Sequence, residues 1–165
     1  MAYPQIRPGI EMTPYLNLVL TEISSYIPNS TMVISAFRSR EKQVDIIESY
    51  ARKEKYTKFS KKNIDFADKK EWRPALKYLR GKGYKIATPG HSRHETGIAL
   101  DLIHLPNSSR KYLVEIKKAF SKAESEGKIK ILSDIIEWGK LQKCYHVEVK
   151  TVRLEFAPKI ITPGR

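Results

Sequence analysis

A single cysteine, Cys144, stands in a chain of 165 residues. That excludes an intrachain disulfide framework and any zinc cluster built from several thiolates. No run of about 18 apolar residues occurs, so insertion into a membrane is not expected. The opening MAYPQIRPGIE carries prolines and a glutamate where a signal peptide needs an apolar centre, so cytoplasmic synthesis without a signal peptide is the expectation. Internal repeats and low-complexity linkers are also absent, which excludes solenoids and long flexible tethers.

Hydrophobic residues make up 41% and charged residues 30% of the chain, a globular balance. The length suits one domain over 1–165, with a core at about 13–157 and 158–165 as a surface tail. Lys and Arg outnumber Asp and Glu by 31 to 18, leaving a net charge of +13, which favours an anionic partner. The basic residues are spread thinly, densest in 51–63 and 79–85, so charge alone does not choose between cell-wall polymers, a membrane surface and nucleic acid. No nucleic-acid motif is present, and a nucleic-acid-binding domain rests on charge only.

Thr13 as N-cap and Pro14 at the first turn, followed by Leu16, Val19, Leu20 and Ile23, predict a helix over 14–26. TMVISAF predicts a strand at 31–37, and Ser39 caps a helix carrying Val44, Ile47 and Ala51 on one face. A further helix is expected over 66–80, stopped by Gly81 and Gly83. GIALDLIHL reads as a strand. SRKYLVEIKKAFSKAESEG reads as an amphipathic helix with Tyr112, Leu113, Ile116 and Phe120 inward and Gly127 at its end. Two short extended pieces finish the chain, the better one at 144–156, and EWGK around Trp138 reads as packing and a turn. Helices and strands mix without a βαβ repeat, which predicts an α+β fold with a small, mainly antiparallel sheet flanked by helices.

His94 and Asp101 lie in SRHETGIALD, with Gly97 between them. If a strand begins near residue 98, Ala99 and Asp101 share a face, and the glycine lets the preceding loop fold back to bring His94 to the same point. On a second strand His146 and Glu148 share a face, since side chains there repeat every two residues. Laid beside the first, that strand supplies a third ligand. Two histidines and one aspartate leave a fourth position open, the arrangement of a catalytic zinc site. The open position takes a water whose pKa zinc lowers toward about 7.

SRHETGIALD resembles the pattern Ser-x-His-x-x-Gly-x-Ala-x-Asp of the zinc D-Ala-D-Ala carboxypeptidases, a group that shares a fold with lysostaphin-type peptidases and the hedgehog signalling domain. Five specified positions match, a coincidence on the order of 10⁻⁴ at average residue frequencies. Upstream, ISAFRSREKQ resembles the family's arginine-bearing segment; downstream, CYHVEV resembles the strand with its last histidine ligand. The resemblance covers about residues 31–150. It implies a Zn²⁺ site of His94, Asp101 and His146, and Arg38 as the group that binds substrate or stabilises the oxyanion. Ser39, Gln43 and Ser92 are implied as its substrate-side neighbours. A guanidinium suits that task because it is always charged and presents a fork of donors.

One departure stands out. The acidic general base of carboxypeptidase members lies three positions before the last histidine, where this chain has Lys143; relatives with a histidine two before would place it at Cys144. Glu148 is the expected replacement base, with His91 behind it. The resemblance implies a zinc peptidase acting on the peptide stems of peptidoglycan, as a D,D-carboxypeptidase or as an endolysin-type endopeptidase of a phage. Anionic wall polymers are further implied partners, and release by lysis or association with a virion the implied location. Lys143 and Cys144 motivate the alternative, a catalytically impaired zinc fold used for wall binding or virion structure.

Overall fold

The computed structural model describes residues 3–56, 72–106, 109–139 and 142–151. A five-stranded sheet takes the spatial order β1, β2, β3, β5, β4. Its strands are β1 (Gln5–Ile6), β2 (Thr31–Ser35), β3 (Ala99–His104), β4 (Ile129–Trp138) and β5 (Lys143–Thr151). β1 runs parallel to β2, and every other pairing is antiparallel. Among the described residues four α-helices accompany it: α1 (Pro14–Ile23), α2 (Arg40–Lys53), α3 (Trp72–Gly81) and α4 (Arg110–Ser125). The α+β fold with a mainly antiparallel sheet is therefore as expected.

Strand alternation divides the residues of β3 and β5 between two faces. Leu100, Leu102, Tyr145, Val147 and Val149 enter a buried cluster with Leu16, Val19, Leu20 and Ile23 of α1 and with Leu113, Ile116, Phe120 and Ala123 of α4. Tyr145 stacks edge-on against Phe120, with ring centroids 5.4 Å apart. The residues between them in sequence, Ala99, Asp101, Cys144, His146 and Glu148, fall on the opposite face. A second cluster joins Val44, Ile47 and Ala51 of α2 to Trp72, Ala75, Leu76 and Leu79 of α3.

Several boundaries differ from the sequence reading. α1 stops at Ile23 because the Ser24 N–H and hydroxyl both turn back to the Thr21 carbonyl. β2 stops at Ser35 after an irregularity between Val33 and Ser35, and Phe37 bridges to Glu11 instead. Tyr112, expected inward, is exposed and lies flat on His104, with centroids 3.9 Å apart. β4 is a full ten-residue strand rather than a short extended piece. Trp138, expected in packing, ends β4 exposed, while Gly139 does turn the chain, its N–H meeting the Gln142 carbonyl at 3.0 Å. The expected start of the helix at 66, the basic stretch 57–63, the strand beyond Thr151 and the tail 158–165 lie outside the described residues.

Phe120 is one of the fully buried side chains that join α4 to the sheet. Replacing it with Ala should cost about 3–5 kcal/mol, the range for removing a fully buried aromatic ring. A lowered urea midpoint with an unchanged slope is the expected measurement.

Candidate metal centre

Register places the first two donors side by side. Asp101 of β3 pairs with Ser35 of β2 on one flank and with His146 of β5 on the other, and His146 pairs in turn with Ile135 of β4. One row across the sheet thus reads Ser35, Asp101, His146, Ile135. His146 Nδ1 lies 2.7 Å from Asp101 Oδ1.

His94 reaches that row from a short 3-10 helix, Arg93–Thr96, which immediately precedes β3. Gly97 ends it in the left-handed region at φ 72°, a conformation costly for residues with a Cβ, and this lets the chain reverse into the strand. Glu95 organises the approach: its carboxylate is buried and accepts the N–H groups of Gly90, at 3.0 Å, and Ser92, at 2.8 Å. Backbone donors compensate the charge that burial would otherwise penalise. The sequence reading missed Glu95, although Ser92 followed three residues later by Glu is the spacing of a capping box. Ser92 itself is buried as the residue that starts this turn.

The end of β2 grips His94 from the other side. His94 Nδ1 lies 2.8 Å from the Ala36 carbonyl, and the His94 carbonyl accepts the Arg38 N–H at 3.2 Å. A hydrogen bond from Nδ1–H to a backbone carbonyl fixes the tautomer and leaves Nε2 as the ligating nitrogen, a common support for metal-bound histidine. Nε2 then faces Asp101 Oδ2 at 3.1 Å. His94, Asp101 and His146 each offer one ligand atom, all within 4.8 Å of one another. Two imidazole nitrogens and one carboxylate oxygen are a donor set that zinc accepts, with a position left for water.

The electrostatics agree with such a site. Burial raises the pKa of Asp101, but the hydrogen bonds and charges of His146 and His94 outweigh it and hold the carboxyl well below its usual range. Burial lowers the pKa of His146, yet the Asp101 hydrogen bond and charge, aided by Glu137 and Glu148, leave it raised. Arg38 is half-buried; burial lowers its pKa, against the attraction of Asp101. Its guanidinium donates to Gln43 Oε1 at 2.9 Å and to Ser35 Oγ at 2.7 Å. Gln43 is buried and donates onward to the Ala87 carbonyl at 2.8 Å. Ser39 caps α2, accepting the Lys42 N–H at 3.2 Å.

The remaining sequence candidates are distributed around this row. Glu148 is buried beside His146, with Oε1 3.6 Å from His146 Nε2 and 3.5 Å from Arg93 Nε. His91 is exposed in the preceding loop. Lys143 turns to the other face of β5, its ammonium 4.6 Å from the centre of the Trp138 ring, so it does not stand over the site. Cys144 is buried on the site face, with Sγ 3.3 Å from Gln142 Nε2 and 3.9 Å from Glu137 Oε2. Its thiol stays protonated, because burial and then the charges of Asp101 and Glu137 push its pKa up.

The family model described as VanY, D-alanyl-D-alanine carboxypeptidase, matches residues 20–134. That span holds Arg38, His94 and Asp101 and ends before His146. A crystal structure of a vancomycin-resistance D,D-pentapeptidase, VanY, from a VanB-type resistance cassette and in complex with Zn(II), aligns with 94% of this chain and 80% of its own. Identity there is 16% and the TM-score 0.45. Comparison with curated protein sequences finds no match.

Because a metal must displace the proton that Asp101 helps His146 to keep, zinc affinity should rise with pH. It should fall by about tenfold per pH unit below the raised His146 pKa, which lies above the ordinary value of about 6.5. Chelator competition across that range measures it. Replacing His94, Asp101 or His146 with Ala should remove the bound zinc; full stoichiometry in any of the three would exclude that residue as a ligand.

Proposed function

The chain belongs to the VanY D-alanyl-D-alanine carboxypeptidase family, which makes it a zinc-dependent peptidase of peptidoglycan stems, and from that premise we propose that it is an active D,D-carboxypeptidase. The observation that carries this reading is the convergence of His94, Asp101 and His146 from three separate segments upon one point. Zinc held there would supply a Lewis acid for the scissile carbonyl and lower the pKa of a water toward about 7.

The chain's own groups supply the remaining chemistry. Arg38 stands beside the metal row with its fork braced by Ser35 and Gln43, ready to meet the substrate carboxylate or the developing oxyanion. Ser39 and Gln43 set the position of that arginine, and Ser92 sets the turn that delivers His94. Ile135, 54% exposed at the end of the row, offers an apolar rim for the small side chains of a D-Ala-D-Ala terminus. A carboxylate must take a proton from the attacking water and pass it to the departing amine, and Glu148 is one of the two on this face besides Asp101.

The net charge of +13 supports attraction to anionic wall polymers, as an ionic-strength-dependent aid to encounter. Within this reading, an endolysin-type endopeptidase and a zinc-holding wall-binding or virion module are the competing outcomes, and Lys143 and Cys144 in place of the usual base motivate the second. No helix among the described residues is long and apolar enough to cross a membrane.

The zinc-loaded protein should release D-alanine from a pentapeptide ending in D-Ala-D-Ala and stop when zinc is chelated. New internal amino termini in purified peptidoglycan without free D-alanine would establish the endopeptidase instead, and bound zinc with no cleavage the non-catalytic module. Arg38→Ala should lower kcat/KM by about 10²–10³-fold with zinc retained, and Arg38→Lys should recover little of it.

A further inference from the structure

Besides Asp101, two carboxylates stand on the metal face of the sheet beside His146. Glu148 lies one row to one side, paired with Ala99 and Ser133; Glu137 of β4 lies one row to the other, paired with Cys144. Resting on the carboxypeptidase reading above, we infer that Glu137, rather than Glu148, is the proton acceptor of the reaction.

Three observations carry this. The imidazole of His146 turns Nδ1 toward Asp101 and Nε2 toward Glu148, so Glu148 lies along the edge of the ring that faces away from the ligand cluster. A carboxylate there orients a metal-bound histidine. Arg93 also pairs with Glu148, Nε to Oε1 at 3.5 Å, which engages that carboxylate a second time.

Glu137 has the opposite surroundings. It forms no ion pair among the described residues, and its Oε2 lies 3.9 Å from the Cys144 sulfur. From Cys144 a short path returns to the cluster: Gln142 Nε2 lies 3.3 Å from the thiol sulfur and 3.5 Å from Asp101 Oδ2.

The third observation is the vacancy in chemistry at the two expected positions. Lys143 is turned away onto Trp138, and Cys144 is small and buried. Its short side chain stands directly across the β4 and β5 pairing from Glu137, one row from His146 on the same face. In the reaction, the water oxygen bonds to the scissile carbonyl carbon as one water proton passes to Glu137. Glu137 returns that proton to the amide nitrogen as the C–N bond breaks. One water is consumed, and the shortened peptide and D-alanine leave.

Glu137→Gln is nearly isosteric and should lower kcat by at least about 10²-fold. Zinc stoichiometry and affinity should remain as in the wild type. Glu137→Asp, which keeps a carboxylate, should recover part of the rate. Glu148→Gln should instead weaken zinc binding by about tenfold or more and, at saturating zinc, retain the larger share of turnover. The reverse ranking, with Glu148→Gln inactive at full zinc affinity and Glu137→Gln active, overturns the inference while leaving the carboxypeptidase reading intact. A wild-type protein that binds zinc and cleaves nothing removes both.

Discussion

Asp101 is 3% exposed on the central strand of the sheet, and a carboxylate so placed is tolerable only because two imidazoles face it. Much of the site follows from that requirement. His146 comes from the adjacent strand by register, a relation set by backbone hydrogen bonds. His94 has no such register and must be brought by a turn, which explains why so many local devices converge on it. The Gly97 reversal, the Glu95 carboxylate on backbone donors and the Ala36 carbonyl all limit where His94 can stand. A divalent ion at this point would satisfy the same carboxylate more strongly.

The two faces of β3 and β5 perform different work with alternate residues. Leu100, Leu102, Tyr145 and Val147 hold α1 and α4 and supply the apolar burial that stabilises the domain. Asp101, Cys144, His146 and Glu148 contribute little to that core and are free to serve chemistry. The separation is a physical convenience of the pleat: the rigid face positions the reactive one to within the tolerance that ligation needs. Arg38 is held in a similar spirit, since Ser35 of β2 and Gln43 of α2 fix its guanidinium from two elements.

The ligand motif was readable because its spacing is local and its glycine has a backbone reason. The helices α1, α2 and α4 were readable from apolar periodicity, within a few residues at their ends. Tyr112 misled because it lies at the margin of the apolar stripe of α4, where a ring can cover a neighbouring histidine instead of entering the core. β4 was harder still. Its register against β5 shifts between Ile131 and Ser133, so alternation counted along the sequence changes phase within the strand. With the phase lost, the face taken by Glu137 is invisible until the hairpin through Gly139 and Gln142 sets the pairing.

That hidden phase bears on how an active site can lose a residue from one strand and keep its chemistry. A base supplied by sequence position relative to the last histidine is bound to β5; one supplied across the ladder needs only the same face and the right row. Cys144 and Glu137 occupy such a row, and the small side chain at 144 is what admits the carboxylate from β4. A larger residue at 144 would fill the space between Glu137 and the cluster, so the two positions act as a pair. Lys143, having no part on this face, is free to cover Trp138 at the end of the exposed edge strand, where a charged side chain also discourages pairing with another chain.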